Sequence, residues 1–392
     1  TMTINVTAVN DAPSGTDNTV AVLEDAAHIF TTAEFGFSDL LDGDLLLAVK
    51  ITTLPVAGTL TTDGIAVGAG DLITAIDIAA GKLVFTPAAD ANGAGYASFT
   101  FQVQDDGGTA NSGIDLDPTA NTMTVNVTAV NDAPSGMDNT VVTSEDTPHV
   151  FSTAEFGFSD TLDGDLLLAV KITTLPGAGT LTNDGIPVVA GQFVSTLDIA
   201  AGKLVFTPAA DASGDGYASF GFQVQDDGGV ANGGLDTDPT PNVLSVDVTP
   251  VNDAPVLDNS GVMTLTDVLQ NSTNPSGNSV ASIISSAGGD RITDVDAGAV
   301  EGIAVIGVDD ANGTWQYSIN GGGSWTSFVV SGVANGTTDD TSAVLLNAAA
   351  LVRFVPNPAY VGPAGDISFQ AWDTTTDLNG DTGVNVSLNG GT

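Results

Sequence analysis

The chain has 392 residues, with 6 Lys and Arg against 48 Asp and Glu, a formal net charge of −42, and no cysteine. Such a charge opposes binding to nucleic acid phosphates and to anionic lipid surfaces. The lack of cysteine excludes disulfides, thiolate metal sites and thiol catalysis. Hydrophobic residues make up 42% of the chain, enough for packed cores, and the length suggests about two or three domains.

Most of the acidic residues are aspartate. Only five of the 48 are glutamate, so 43 are aspartate. Glutamate favours helices, whereas aspartate favours turns and the oxygen-rich loops that bind hard cations. The bias predicts acid-rich loops between strands, with Ca²⁺ as their cation.

The chain is an array of long repeats. The pentapeptide Val-Asn-Asp-Ala-Pro occurs at residues 9–13, 130–134 and 251–255, a step of 121 residues. A repeat of this length is a whole domain rather than one turn of a solenoid. We therefore predict domains at 11–131 and 132–252 and a divergent third at 253–392, with residues 1–10 as the closing strand of a preceding or neighbouring domain.

The segments within each repeat are short and β-like. Residues 82–86, 98–104 and 122–128 alternate apolar and polar side chains, as half-buried strands do. In the third unit, residues 315–319 and 324–328 flank an Asn-Gly-Gly-Gly turn, which predicts a hairpin. No apolar run approaches the ~20 residues of a membrane span. The pattern predicts an all-β fold of tandem β-sandwich domains.

Acidic groups recur at the same places in both repeats. Ca²⁺ binds sets of about six to eight oxygens from carboxylates, amides and the backbone. The alternative explanations of these acidic groups are ordinary turn formation by aspartate and a generally acidic surface of a halophilic protein. Clustering at turns and junctions, with almost no glutamate, favours Ca²⁺. The groups are Asn10-Asp11, Glu24-Asp25, Asp39/Asp42/Asp44 and Asp105-Asp106, with Asp160/Asp163/Asp165 and Asp226 in the second repeat.

The junction resembles the linker of cadherins, where an Asp- and Asn-rich strand end followed by Ala-Pro joins two domains through Ca²⁺. Over residues 1–252 the repeat looks like the bacterial cadherin-like or Ig-like domains of giant RTX-type surface adhesins, and the third unit looks like another module of such proteins. The resemblance implies a non-enzymatic elongated rod outside a bacterial cell. Its implied partners are neighbouring repeats, of this or another copy, with cell-surface or matrix glycans left open.

The resemblance also implies the Ca²⁺ ligands, carried over by position. Animal cadherins have an acidic motif with an internal arginine that has no match here, so one or two ions per junction are expected. The implied ligands are Asn10, Asp11, Glu24, Asp42, Asp44, Asp105, Asn131, Asp132, Glu145, Asp163, Asp165, Asp226, Asn252, Asp253, Asp294 and Asp296.

Other chemistry-bearing residues are few. His28 and His149 have no second histidine nearby and are interpreted as structural. Strand alternation points Lys50 and Lys171 outward, with an isopeptide cross-link as the alternative. Trp315, Trp325 and Trp372 are expected in the core rather than in a sugar-binding platform. No phosphate loop, nucleophile elbow or His-Glu-x-x-His motif occurs.

Residues 1–10 match 122–131 at every position except Ile4, which corresponds to Val125. Either the sequence is a window on a longer chain, or residues 1–10 of one copy complete the third domain of the next. Residues 384–388 are a second candidate for that closing strand. Three functions follow: a Ca²⁺-stiffened adhesin stalk, which is favoured, a head-to-tail filament or surface-layer subunit, and a carbohydrate-binding third domain.

Overall fold

A computed structural model describes residues 2–328 and 338–387. Its strands form three successive pairs of facing sheets, drawn from residues 18–128, 139–249 and 256–384, and no sheet combines strands from two of these ranges. The predicted all-β fold of tandem β-sandwiches is confirmed. Among the described residues, the longest helices have only five or six residues, and none could cross a membrane.

The first sandwich packs a five-stranded sheet, in the order β1-β9-β8-β3-β6, against a four-stranded sheet, β2-β7-β4-β5. β1 runs parallel to β9, with Val20 opposite Val125, and β8 lies antiparallel between β9 and β3. The elements are β1 (Asn18–Leu23), β2 (His28–Ile29), a 3-10 turn (Thr32–Phe35), β3 (Leu46–Ile51), β4 (Thr59–Thr62), β5 (Ile65–Ala66), β6 (Leu72–Thr74), α1 (Ala75–Ala79), β7 (Leu83–Thr86), β8 (Gly93–Asp105), a 3-10 turn (Ala110–Ser112) and β9 (Asn121–Thr128).

The second sandwich repeats this arrangement, with sheets β10-β18-β17-β12-β15 and β11-β16-β13-β14. Its elements are β10 (Asn139–Ser144), β11 (His149–Val150), a 3-10 turn (Thr153–Phe156), β12 (Leu167–Ile172), β13 (Thr180–Asn183), β14 (Ile186–Pro187), β15 (Phe193–Ser195), α2 (Thr196–Ala200), β16 (Leu204–Thr207), β17 (Gly214–Asp226), a 3-10 turn (Ala231–Gly233) and β18 (Asn242–Thr249).

The third sandwich has sheets β27-β22-β25-β28 and β20-β26-β23-β24, with a separate pair β19-β21. Its elements are β19 (Val256–Leu257), β20 (Asn278–Ser279), α3 (Val280–Ser285), β21 (Ile292–Thr293), β22 (Gly302–Val308), β23 (Gly313–Ser318), β24 (Thr326–Ser327), β25 (Ala343–Asn347), β26 (Leu351–Pro356), β27 (Ile367–Trp372) and β28 (Thr382–Val384). The predicted hairpin is confirmed, because β23 and β24 pair antiparallel around the glycine turn.

The cores follow from the alternation along the strands. In β8, Phe99, Phe101 and Val103 point inward and are fully buried, while the intervening threonine and glutamines point outward. Phe30 meets Phe99 edge to face with ring centroids 5.5 Å apart, and Phe151 meets Phe220 in the same way in the second sandwich. Each such pair adds about 0.5–1.5 kcal/mol to the burial of its rings.

Of the two segments predicted as closing strands, one forms no strand and the other contains the end of β28. Residues 2–10 form no strand with any described part of the chain, so their role as the closing strand of another domain stays a prediction; Thr1 lies outside the described residues. In the second candidate, residues 384–388, Val384 ends β28, which pairs with β25 at the far side of the sheet from β27. Leu388 lies outside the described residues.

Candidate metal centres at the junctions

The linker between the first two sandwiches is held by both of them. The side-chain amide of Asn131 donates to Asp226 Oδ1 (3.1 Å) and to the carbonyl of Leu235 (2.7 Å) of the second sandwich. Glu24 of the first sandwich is buried and accepts from the backbone N–H of Val130 at 2.5 Å. These contacts place the linker acids at a fixed position between the two sandwiches.

Two groups of three carboxylates lie at this linker. Asp25 and Asp90, at the end of the first sandwich, meet the linker residue Asp132, and the oxygens of the three lie within 4.8 Å of one another. The second group consists of Asp160, Asp163 and Asp165 on the β11–β12 connection, within the same distance. The backbone N–H of Asp132 donates to Asp163 Oδ2 at 2.6 Å and so joins the two groups.

Asp226, the last residue of β17, is the deepest acid of this junction. Its side chain has no solvent exposure. Oδ1 accepts from Asn131 and from the backbone N–H of Gly228, whereas Oδ2 has no hydrogen-bond partner. Asn131 Oδ1 and Asp160 Oδ2 are also buried without a partner. Leaving a buried acceptor without a donor costs about 1–3 kcal/mol, and a bound cation would remove that cost, so these oxygens are candidate cation ligands.

Gly228 leaves a space at which Asn131 Oδ1 and a carboxylate oxygen of Asp165 converge. A Cβ at this position would lie 1.9 Å from Asn131 Oδ1 and 2.0 Å from Asp165 Oδ2. Gly107 is its counterpart in the first sandwich, where a Cβ would lie 2.1 Å from both Asn10 Oδ1 and Asp44 Oδ2. Two oxygens therefore converge from different segments on a gap that only glycine keeps open. This oxygen-only donor set fits a hard cation such as Ca²⁺.

The electrostatics of the site oppose the ionised form of its acids. Burial raises the pKa of Asp132, and the charges of Asp163, Asp90, Asp25 and Glu24 raise it further. Burial also raises the pKa of Asp226, with Asp160 and Asp165 adding to the effect. In Asp165 the causes are again burial first and then neighbouring carboxylates. Carboxylates from two sandwiches and a linker therefore repel one another at the junction.

Another buried aspartate, Asp238, has hydrogen-bond donors on both of its carboxylate oxygens. Asp238, 2% exposed, accepts from the backbone N–H groups of Gly136 and Thr240, and also from the Thr240 hydroxyl and the Asn242 amide. Its counterpart Asp117 has the same partners; burial raises its pKa, but these hydrogen bonds outweigh burial and lower it. These two residues are structural acids that fasten a turn.

The second junction shares the plan with some changes. Asp253 belongs to two three-acid groups, one with Glu145 and Asp296 and one with Asp146 and Asp211. Burial raises the pKa of Asp253, and these neighbours raise it further. Its Oδ2 is buried and has no hydrogen-bond partner, as is Asp294 Oδ2.

Asn252 holds the linker to the third sandwich by donating to Asp373 Oδ2 at 2.6 Å. Ahead of the first sandwich, the backbone N–H of Asp11 donates to Asp42 at 2.6 Å, and the side-chain amide of Asn10 donates to Asp105 Oδ1 at 2.9 Å. Asn10 Oδ1 and Asp105 Oδ2 are buried and without a hydrogen-bond partner. Asp39, Asp42 and Asp44 form a three-acid group at the same end. The ends ahead of the first and second sandwiches therefore have the same construction, whereas ahead of the third sandwich both oxygens of Asp373 accept hydrogen bonds, from Asn252 and Thr375.

The structure brings the sequence-predicted residues of each junction together, and it adds acids that the prediction did not include. The added residues come from loops far away in sequence: the backbone N–H of Asp90 donates to Asp25 Oδ1 at 3.2 Å, and Asp211 does the same to Asp146 at 3.3 Å. The 121-residue recurrence of Asp90 and Asp211 was the available signal. Asp373 gave no such signal, because the third unit diverges.

The remaining candidates have structural surroundings. His28 Nε2 lies 3.1 Å from Glu34 Oε1, and His149 lies 3.0 Å from Glu155. Trp315 and Trp372 are buried in the third sandwich, as expected, whereas Trp325 is partly exposed and stacks on the Arg353 guanidinium 3.9 Å from its ring. Lys171 is half-buried, with its ammonium 5.7 Å from the ring centroid of Phe193.

No protein-family model and no curated protein matches this chain. Among solved structures it is similar to mouse cadherin-23 EC22-24, with 13% identity and a TM-score of 0.40 over 88% of this chain and 98% of that one. It is also similar to mouse protocadherin-24 EC1-3, with 14% identity and a TM-score of 0.35 over 94% of this chain and 99% of that one. For the human desmocollin-1 ectodomain the identity is 13% and the TM-score 0.34, over 88% of this chain and 60% of that one. At these identities the likeness concerns the fold alone.

Proposed function

We propose that this chain is an extracellular, Ca²⁺-stiffened stalk segment of a large bacterial surface adhesin, with no enzymatic activity of its own. The observation that carries the proposal is the environment of Asp226. A fully buried carboxylate has an oxygen without a donor, beside a glycine-lined gap on which amide and carboxylate oxygens converge. A bound cation resolves this arrangement, because it supplies the positive charge that the site lacks.

The stiffening follows from where the ligands originate. Asp25 and Asp90 belong to one sandwich, Asp160 and Asp163 to the next, and Asp132 to the linker between them. Without a cation these charges repel and the angle between sandwiches can vary. A shared ion replaces repulsion with attraction on both sides of the linker and fixes that angle. Repetition at each junction would make the array a rod.

An extracellular location agrees with the chemistry of the junctions. Ca²⁺ sites of extracellular modules bind with dissociation constants of about 10⁻⁴–10⁻³ M, so they fill at the Ca²⁺ levels found outside cells. With no cysteine in the chain, ions take the stabilising role that disulfides have in many secreted domains.

The stiffening is tested by small-angle X-ray scattering of the whole chain with Ca²⁺ and after chelation. We expect a longer maximum dimension and a sharper distance distribution with Ca²⁺, and a shorter, broader one in chelator. Mg²⁺ at the same concentration is the control, because it keeps its own waters and is held poorly by a large, irregular oxygen shell. Identical curves in all three conditions would contradict the proposal.

A further inference from the structure

The acids that face the linker differ between the second and the third sandwich. In the second, Asn131 Oδ1, Asp160 Oδ2 and Asp226 Oδ2 are buried without a hydrogen-bond partner. Asn131 Oδ1 also meets an oxygen of Asp165 at the gap beside Gly228. We call these four oxygen-bearing residues the inner site: Asn131, Asp160, Asp165 and Asp226. The outer group on the side of the first sandwich consists of Asp25, Asp90 and Asp132.

One oxygen of the inner site is retained in the third sandwich. The backbone N–H of the linker aspartate donates to Asp163 in the second sandwich and to Asp296 in the third. The N–H of each acceptor donates in turn to Oδ1 of another acid, which is Asp160 in the second sandwich and Asp294 in the third. Asp294 is therefore the counterpart of Asp160, and its Oδ2 is likewise buried without a hydrogen-bond partner.

The carboxylate of Asp165 has no counterpart there. Asp165 follows Asp163 by two positions, and the residue two positions after Asp296 is Gly298, which has no side-chain oxygen. The first and second sandwiches each contain a group of three acids on this loop, whereas no such group drawn from the third sandwich alone occurs among residues 2–328 and 338–387. A second ligand of the inner site is therefore lost.

The counterpart of Asp226 has donors on both of its oxygens. Asp373 is 5% exposed, and its Oδ2 accepts from the linker amide of Asn252 at 2.6 Å. Its Oδ1 accepts from the backbone N–H of Thr375 at 3.0 Å and from the Thr375 hydroxyl at 2.8 Å. Thr375 stands two positions after Asp373, where the second sandwich has Gly228 two positions after Asp226. A threonine thus replaces the glycine of the gap and supplies an additional donor.

We propose that the inner site binds Ca²⁺ in the second sandwich but not in the third, where hydrogen bonds from Thr375 take the place of the ion. This distribution of ions rests on the proposed Ca²⁺ function and specifies where the ions are bound. Ca²⁺ takes about six to eight oxygens, and a lone unpaired oxygen of Asp294 cannot replace the set that the inner site offers. The linker ahead of the third sandwich would then bind Ca²⁺ only at the acid groups around Asp253.

The two linkers should therefore respond differently to removal of Ca²⁺. Asn131 is held against the second sandwich beside buried oxygens that have no donor in the absence of a cation. Asn252 is held against the third sandwich by a hydrogen bond to a carboxylate whose oxygens both have donors. Chelation should loosen the second sandwich from its linker more than the third.

The first test is calorimetric titration of Ca²⁺ into the whole chain, with Asp226→Asn and Asp373→Asn as a matched pair. Each substitution replaces a buried aspartate that a linker asparagine contacts by the amide of the same shape. We expect Asp226→Asn to lose at least one bound ion. Asp373→Asn should bind as many ions as the unaltered chain, with affinities that differ by less than ~3-fold.

A second measurement needs no substitution. All three tryptophans, Trp315, Trp325 and Trp372, belong to the third sandwich, so their fluorescence reports the unfolding of that sandwich alone. Ca²⁺ at ~100 times its dissociation constant should raise the calorimetric transitions that have no tryptophan signal by ~10 °C. The tryptophan-detected transition should rise clearly less, because the third sandwich contributes only Asp296 to a three-acid group.

Two outcomes would overturn this distribution of ions while leaving Ca²⁺ at the junctions intact. One is an equal loss of bound ions in Asp226→Asn and Asp373→Asn. The other is an equal rise of the tryptophan-detected transition and the remaining transitions on addition of Ca²⁺. If the unaltered chain bound no Ca²⁺ at all, the proposed function would be contradicted as well.

Discussion

Two regions of the second sandwich each bury an aspartate, and they differ in one respect. Asp238 Oδ1 accepts hydrogen bonds from Thr240, and Oδ2 accepts from Gly136 and Asn242, so both carboxylate oxygens have donors. Around Asp226 one oxygen has donors and the other has none. Both residues are at most 2% exposed, so burial does not separate them. The difference shows that an unmet oxygen, and not burial or acidity, marks the candidate cation site.

The largest difference between the two regions is expected when each aspartate is replaced in turn by asparagine. Asp226→Asn removes a ligand and its charge, so the rise in melting temperature on adding Ca²⁺ should shrink markedly, with affinity at that junction lowered at least ~30-fold. Without Ca²⁺ the variant should be as stable as the unaltered chain or more so, because a buried charge is removed. Calorimetric melting with Ca²⁺ and with chelator measures both effects.

Asp238→Asn is the matched control for that experiment. It removes a fully satisfied acceptor, so it should cost about 1–3 kcal/mol of unfolding free energy. The loss should be equal with Ca²⁺ and with chelator, because its side-chain hydrogen bonds go to Gly136, Thr240 and Asn242, which are not junction acids. A Ca²⁺-dependent loss at Asp238, or a Ca²⁺-independent loss at Asp226, would remove the distinction between the two regions.

A smaller effect is expected from filling the gap without changing any charge. In Gly228→Ala the added methyl group would occupy the space between Asn131 Oδ1 and Asp165 Oδ2. Ca²⁺ affinity at this junction should fall ~10-fold or more, as measured by isothermal titration calorimetry. The control is Gly177→Ala, a position with open space that is Val56 in the first repeat, and Ca²⁺ affinity should not change. Equal affinities in the two variants would argue against ion binding in that gap.

The smallest effect is the pH dependence of the metal-free protein. Asp44, Asp132, Asp165, Asp226 and Asp253 have pKa values raised above the ordinary 3.8, chiefly by burial and then by other acids. A carboxyl with a raised folded-state pKa destabilises the fold when ionised. In chelator the melting temperature should therefore rise as the pH falls from neutral towards these raised pKa values.

Asp117 and Asp373 work against this trend, because hydrogen bonds lower their pKa despite burial. Their contribution is present above the ordinary value of 3.8 and is lost as the pH falls through their lowered pKa values, so the rise should end in strongly acidic solution. With saturating Ca²⁺ the rise should disappear, because protons then compete with the ion. A melting temperature that falls steadily from neutral pH in chelator would contradict the electrostatic description of the junctions.

The repeats and the sandwich fold could be predicted because both are visible in the sequence itself, as a recurring pattern and as alternation within short segments. Alternation in residues 98–104 and 122–128 fixes which side chains of β8 and β9 point inward, and the 121-residue step fixes the copy number. The junction residues Asn131, Asp132, Asp163 and Asp226 could be named because the resemblance placed them.

The rest depends on tertiary contacts. Asp90 approaches Asp25 from 65 positions away, and no local pattern reports such a contact. Composition and strand alternation could not separate Asp226 from Asp238, since both are aspartates in similar β-rich surroundings, and only the resemblance singled out Asp226. The physical difference between them lies in the donors around each oxygen, which only the three-dimensional structure shows. In the third unit Asp373 could not be named from sequence, because this unit has no repeat to compare with.

The most direct test of Ca²⁺ at the junctions is calorimetric titration of Ca²⁺ into the metal-free chain, run beside Asp226→Asn and Asp238→Asn. We expect saturable binding with at least one ion for each junction, with dissociation constants in the range of extracellular Ca²⁺ sites (about 10⁻⁴–10⁻³ M). The stoichiometry should fall in Asp226→Asn and stay unchanged in Asp238→Asn. No saturable binding to the unaltered chain, or the same stoichiometry in all three proteins, would contradict Ca²⁺ as the ion that holds the sandwiches together.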